Sequence, residues 1–536
     1  MAEEDLIFGK NRHMFGGIEP SNMKNLKVAN INNKVTIFAT LPDDTIIDGQ
    51  TLCTVAGAVI RKNTTGYPKD EFDGTLVATI TSSGTVIDTS LSPNTTYFYA
   101  AFPFTTQGVY NRSPKNRTMY TSGTSNYLFG FDIDLSVSDS KNRVSYPEEV
   151  MNYGFTPAAM NFNTSVFNYG GWENYSTPGT YFMPQPCVLK TDGTVVYYLN
   201  PNDYTKTVDG ASVSNGSTDQ NFMMEWPKIY THREVVNNVY KFRCSDMKLG
   251  EDWDCICNYD ISNNEIDHFY TGIYYGVLNG PHLYSWRSNN TSTINKSDYF
   301  NVVVDRAKAN GDDWNIDLLC DRLLIQDLLI MMAKTTDCKT AYGYGNLATT
   351  SSSIITTNGT MDKKGLFWGT YDDSNRNSVK VFGMENFWGN GMRTINGMLI
   401  AEGIIKVKLT SGTHDGTTVY GYNTTGDGYL EIADLKEYSS TGIYEGYISG
   451  MLINSFGRIP ISNTGSNTTR EREGFKYYIS NTAGDIRYIQ VGGNYGTNSV
   501  NTTKYGGLFY FESHDRSSDN SSSVCYSSLS CKPRRK

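Results

Sequence analysis

Charge is what this 536-residue chain has least of. Only 19% of its residues are charged and the net charge is −9, so it carries no basic stripe of the kind that holds nucleic-acid backbones, and no nucleic-acid partner is expected. Proline is scarce, 16 residues, which excludes collagen-like and polyproline architectures. A long uninterrupted apolar run is also missing. The most apolar one, residues 316–333, is broken by Asp317, Asp321, Arg322, Gln326 and Asp327, so it is read as a buried element with no membrane insertion. The first residues, MAEEDLIFGKNRHMFGG, hold no basic stretch followed by an apolar one. The expectation is therefore no secretory signal and no glycans on the many Asn-x-Ser/Thr triplets. The nine cysteines include no zinc-like CxxC pairs, and Cys255 and Cys257 stand isolated. They are expected to be reduced, buried thiols. GxSxG and HExxH motifs are absent, as are heptads.

Aromatic residues are plentiful, 13% with 38 Tyr, enough to exclude a chain that cannot collapse. With 50 Gly and long Asn/Ser/Thr runs, they describe a protein rich in strands and loops. The densest such stretch is residues 487–531. Between RYIQ at its start and CYSSLSC at its end, nearly every residue is Asn, Ser, Thr, Tyr, Gly or a lone charge, punctuated by Leu508, Phe509 and Phe511. Tyr gives a large amphipathic contact area at low entropic cost, and Ser, Asn and Gly adapt their hydrogen bonds, so this is a recognition composition. Strand alternation puts Phe509 and Phe511 toward the core, with Tyr510, Glu512 and His514 toward solvent.

The expected class is mainly β with some α. Residues 1–25 read as an N-terminal attachment arm. Residues 26–122 repeat strand signals every 8–12 residues (34–38, 57–61, 74–78, 96–102) between turn clusters, which suits a β-sandwich. From residue 123 to 536 the pattern changes. VLKTDGTVVYYL (188–199) predicts a hairpin with a type I′ turn at Asp192-Gly193. Further strands are expected at 225–230, 239–242, 269–275, 404–409 and 444–448. Residues 298–309 predict a helix capped by Ser297 or Asp298, with Phe300, Val303, Val304 and Ala307 on its apolar face. Residues 315–334, apolar on most of their circumference, predict the main core helix, whose Asp321, Arg322 and Asp327 are read as capping or pairing. The basic end (Lys532, Arg534, Arg535, Lys536) is read as a solvated terminus.

The order WPKIY (226–230), GIYYG (272–276), a long helix ending near GYG (343–345), GMENFWGN (383–390), RYIQVGG (487–493), GLF (507–509) and SLSC (528–531) resembles the C-type-lectin-like domain of the formylglycine-generating-enzyme type. Bacteriophage tail and variable tropism proteins carry this domain. LSPNTTYFY (91–99) is similar to the penultimate strand of fibronectin type III modules, and MFGGIEP (14–20) ahead of such a module is similar to the front of phage adhesion proteins. The resemblance implies an N-terminal fibronectin III/Ig-like sandwich and a large α+β lectin-like receptor-binding domain. It also implies a virion location in a tail or fibre, and ligand contact through Asn494, Tyr495, Asn498, Asn501, Tyr505, Tyr510, Glu512, His514, Arg516, Asn520 and Tyr526. Gly492, Gly493, Gly507, Leu508, Phe509 and Phe511 match its scaffold. This chain departs from the family in having Met392-Arg393 where a Glu-Trp pair is usual, and in the charges Lys504, Glu512, His514, Asp515 and Arg516.

The leading expectation is a non-enzymatic receptor-binding or fibre protein that recognises a host cell-surface polysaccharide or protein. Its arm would dock on other virion proteins, and by analogy with phage fibres it would be a homotrimer. One alternative is a purely structural head-fibre, decoration or baseplate subunit. Another is a glycan depolymerase, for which Glu385, Asp415, Asp427 and Asp515 are candidates only because they fall in loops. The cysteines Cys525 and Cys531 invite comparison with a copper-binding pair of the related oxidase, but their flanks do not match. His414-Asp415-Gly416 and Asp427-Gly428 offer oxygen ligands for calcium and are read as turns. No cofactor is expected.

Overall fold

The computed structural model describes residues 17–31, 34–92, 95–122, 126–137, 139, 142–288, 299–346, 358–370, 379–434, 443–448, 452–454, 457–459, 475–480, 484–493, 506–513 and 525–534. The chain is mainly β, 43% strand and 9% helix. It divides into two compact units, one of residues 1–129 with 244–254 and one of residues 130–243 with 255–536. The arm's residues 1–16 lie outside the described residues.

The first unit holds a two-stranded hairpin, Thr45–Ile47 with Gln50–Cys53, and two larger antiparallel sheets. One has the order Asn25–Ile31, Lys34–Thr40, Gly84–Asp88. The other runs Thr75–Ile80, Val55–Asn63, Thr96–Thr105, Arg117–Thr121. Alternate residues face inward, as a period of two demands. Leu26, Val28, Ile37 and Ala39 of the first sheet share one core with Ala58, Ile60, Tyr97, Tyr99, Ala101 and Tyr120 of the second. Inside it, Lys62 Nζ lies 2.7 Å from both oxygens of Asp88, with side chains 5% and 2% exposed. Tyr99 donates to the same carboxylate at 2.8 Å. Burial pushes the Asp88 carboxyl up, but the hydrogen bonds from Lys62, Ser90 and Tyr99 outweigh it and hold the group below its usual range.

The second unit is organised around helix α2. The predicted helix 298–309 is α1, Phe300–Lys308, with Tyr299 at its N-cap; the expected caps Ser297 and Asp298 lie outside the described residues. Its four predicted apolar residues are all buried. The predicted helix 315–334 is α2, Leu319–Ala333, in which every residue is buried. It starts later than expected because Trp314–Ile316 form a strand paired with Leu529–Cys531. The short helix α3, Cys338–Tyr342, follows, capped by Asp337.

A seven-stranded antiparallel sheet has the order Asp203–Thr207, Val195–Asn200, Gln185–Lys190, Gln220–Pro227, His268–Gly272, Leu529–Cys531, Trp314–Ile316. Its hairpin at 188–199 forms as predicted, but with a different turn. Gly193 has φ +80° and Asp192 has no positive φ, and the register shifts between Val188 and Leu189. The turn is therefore not the type I′ turn that two left-handed residues would make. The strand expected at 225–230 breaks after Pro227, which has no N–H to continue a ladder; Tyr230–Val236 belongs to another sheet.

A second large sheet runs Leu430–Asp434, Ile404–Val407, Met392–Ala401, Ile486–Gly493, Gly506–Glu512, Phe475–Ser480, Ile443–Ile448, with Cys525–Tyr526 parallel to the start of Met392–Ala401. Among the described residues no helix is long and apolar enough to cross a membrane.

Candidate recognition surface and its buried support

The candidate recognition segment is bounded at both ends by strands of this second sheet. Before it, Ile486–Gly493 pairs with Met392–Ala401, and Arg487 through Val491 are all buried. Gly506–Glu512 interrupts it and pairs with both Ile486–Gly493 and Phe475–Ser480. After it, Cys525–Tyr526 and Leu529–Cys531 return to the two large sheets. Gly492 turns at φ +86°, and a Cβ there would lie 3.2 Å from the Phe387 carbonyl oxygen. The glycine is required by the backbone, in keeping with its scaffold reading.

Of the predicted contact residues, Asn494, Tyr495, Asn498, Asn501, Tyr505, His514, Arg516 and Asn520 lie outside the described residues, as does Asp515. Tyr510 and Glu512 are on Gly506–Glu512, described in backbone only. Tyr526 requires a correction. It is 1% exposed and stacks on Tyr275 with ring centroids 4.3 Å apart, so it is part of the support and not of a solvent-facing surface. The expected alternation is also modified, because Leu508 and Phe511, three apart, are both buried. The register explains this: Val491 pairs with Phe511 but Gly493 with Gly506, an irregularity that breaks the strict period of two.

Helix α2 supports this sheet from within. Arg322 donates to the carbonyls of Phe387 and Leu508 at 3.4 and 3.2 Å, and Gln326 donates to Leu508 at 2.8 Å. Burial, aided by the nearby Arg393 charge, lowers the Arg322 guanidinium to about 9. Asp327 takes Arg233 at 2.8 Å and the Tyr240 hydroxyl. Asp321 takes Ser530 at 2.8 Å and the Lys532 ammonium, which also donates to the Cys257 carbonyl at 2.8 Å. The predicted pairing is thus observed for Asp321 and Asp327, whereas Arg322 is held by backbone carbonyls. Lys532, however, is 3% exposed, so the chain's basic end is not solvated at this residue. Burial pulls its ammonium down, but Asp321 outweighs this and holds it above the usual range.

The turn at 383–391 is the other support, and sequence reasoning missed its chemistry. Phe382, Gly383, Asn386, Gly389 and Asn390 all have positive φ. Glu385, expected in an open loop, is fully buried in a short strand and accepts the backbone N–H groups of Gly359 and Met361 at 2.9 and 2.8 Å. Burial raises its carboxyl to about 7, and the same burial lowers the neighbouring Lys380 to about 8. Lys380 lies 3.8 Å from the centroid of the Tyr204 ring and donates to the Met361 carbonyl at 2.8 Å. Arg393 donates to the carbonyls of Glu385 and Asn386 and to Asp317. Its sequence neighbourhood gave no sign of this role.

The remaining acidic candidates are occupied. Asp415 accepts the N–H groups of Leu409 and Thr410 at 2.6 and 2.9 Å and the Thr417 hydroxyl at 2.6 Å, while Asp427 accepts the Thr425 hydroxyl at 2.7 Å. These bonds match the reading of both as turn residues. Cys531 is a buried free thiol, and the Cys525 side chain is outside the described residues. Among the described residues, one group has metal-type ligands in reach of one another: Cys257, Cys320 and Asp321, within 4.8 Å. Lys532 already supplies the cation there, so these residues do not fit a metal ion. No protein-family model and no curated protein matches the chain.

Proposed function

We propose that this chain is a non-enzymatic receptor-binding or fibre subunit of a phage virion. In this reading it recognises a host cell-surface polysaccharide or protein through residues 494–524, exposed outside the cell as part of a homo-oligomer. The observation that carries the reading is the contrast between this segment and its supports. A stretch rich in Tyr, Asn and Ser joins strands whose side chains, Arg487–Val491, Leu508, Phe511 and Tyr526, are buried. Leu508 and Phe511 apart, this reading leaves the segment free to vary in sequence. Multipoint contact by aromatic and amide side chains, repeated over several copies, supplies affinity through avidity.

The finer fold assignment belongs to the same proposal. The first unit is read as a fibronectin III-like sandwich. Its three- and four-stranded sheets share one core, and the Tyr97 hydroxyl accepts the Ser92 N–H at 2.7 Å, which resembles the tyrosine corner of sandwich domains. The second unit is read as a C-type-lectin-like domain, and residues 1–25 as the arm that docks on other virion proteins.

The test replaces residues 494–505 and 514–524 with Gly/Ser sequences of equal length and leaves Cys525 onward intact. Binding of the purified protein to a panel of bacterial surface polysaccharides and outer-surface proteins should be lost while the melting temperature is kept. Unchanged binding would show that the segment is not the recognition surface.

A further inference from the structure

Among its described residues, the second unit has a cleft of about 440 Å³ between the hairpin Gly276–Asn279/His282–Ser285 and the end of α1. That is within the usual range for small-molecule sites. Its lining includes Thr191, Thr218, Asn279, His282, Tyr284 and Asn310, and no Asp, Glu, Lys or Arg. A phosphate or carboxylate ligand would find no countercharge there.

Asn310 fixes the chemistry. Its Nδ2 donates to the Leu283 carbonyl at 2.7 Å and to the Ala307 carbonyl at 3.2 Å, so both amide hydrogens are used and the amide cannot be flipped. The Oδ1 on its other side has no hydrogen-bond partner among the described residues, although Asn310 is only 7% exposed. An unpaired buried acceptor is costly, and a ligand donor would relieve that cost. Nδ1 of His282 is a second buried atom without a partner among the described residues. The His282 ring ends an aromatic stack built by strand alternation. Its centroid is 5.6 Å from that of Tyr284, which in turn lies 4.3 Å from Trp286. The Tyr284 hydroxyl donates to the Thr218 carbonyl and Trp286 Nε1 to the Gln220 carbonyl, so these two rings are held from turning, while His282 at the end of the stack has no such tether among the described residues.

We propose that this cleft binds one neutral sugar ring of a glycan. A ligand hydroxyl donates to Asn310 Oδ1 and another bonds His282 Nδ1. Hydroxyls suit both atoms because they donate to the fixed amide oxygen and can either donate to or accept from the imidazole nitrogen. Thr191, Thr218 and Asn279 add hydroxyl and amide groups around a ring-sized volume. Both unpaired atoms are buried, so binding requires the partly exposed His282 ring to shift. None of these lining residues belongs to 494–524, and the proposal does not depend on the role of that segment.

The experiment titrates the full chain with methyl glycosides of glucose, galactose, mannose and N-acetylglucosamine, each in large excess, with saturation-transfer NMR as readout. At least one sugar should bind, and His282→Ala and Asn279→Trp should each weaken it about tenfold or more without lowering the melting temperature. Asn279 is exposed, so its variant decides the matter if His282→Ala fails to fold. The Gly/Ser replacement of residues 494–505 should leave sugar binding intact. The proposal is overturned if no sugar binds, if both variants bind as the parent does, or if binding is lost only with the segment.

Discussion

Lys62 and Asp88 show at single-residue scale how the first unit tolerates charge in its core. Their carboxylate–ammonium contact is complete on both oxygens and joined by Tyr99. Removing one partner strands the other in an apolar core, so Lys62→Met should destabilise the unit by about 3–5 kcal/mol. Much of that should return in the double variant Lys62→Met/Asp88→Leu; urea denaturation followed by circular dichroism checks both. The pair also sets an acid limit. Because the folded-state value of Asp88 lies below its unfolded one, the stabilisation is fully present above about pH 4 and is lost as pH falls through the depressed value. The parent should therefore lose more stability than the double variant between neutral pH and strongly acidic pH. Neither residue stood out in the sequence, because Lys and Asp on alternating strands are ordinary until the facing sheet is known.

At the scale of elements, the turn 383–391 and helix α2 carry the support of the candidate surface. Gly383 has φ +80°, and a Cβ there would lie 2.6 Å from the Met224 sulfur. Gly383→Ala should cost about 1–3 kcal/mol through strain and overpacking, seen as a lower melting temperature of the second unit. Leu328, fully buried in α2, should cost about 2–5 kcal/mol on truncation to Ala. The existence of α1 and its apolar face were legible because a period of 3.6 is written in its residues, and α2 because its run is apolar on most of its circumference. The start of α2 was not, since Asn315 and Ile316 read equally well as helix until Leu529–Cys531 pairs with them. The burial of Glu385 escaped sequence reasoning for a related reason: its partners Gly359, Met361 and Lys380 come together only through the turn. Tyr526 was misread because Tyr is as good a stacking partner in a core as a contact on a surface, and only Tyr275 distinguishes the two.

For the whole molecule, the decisive fact is how late in the sequence the second unit is completed. Leu529–Cys531 lies inside the seven-stranded sheet, between His268–Gly272 and Trp314–Ile316, and Lys532 neutralises Asp321 on α2. Ending the chain after residue 527 removes an interior strand and leaves a buried carboxylate unpaired. The truncated second unit should lose cooperative unfolding and become protease-sensitive, while the first unit, whose strands and core lie within residues 1–129 and 244–254, should retain its own protected fragment on limited proteolysis. The same placement turns folding into a check on translation. Residues 494–524 can exchange one amino acid for another without touching the closing strand, but a stop codon or frameshift among them prevents that strand from being made. Sequence variation in the segment is thus filtered for reading frame, and only chains read through in frame complete the second unit's seven-stranded sheet.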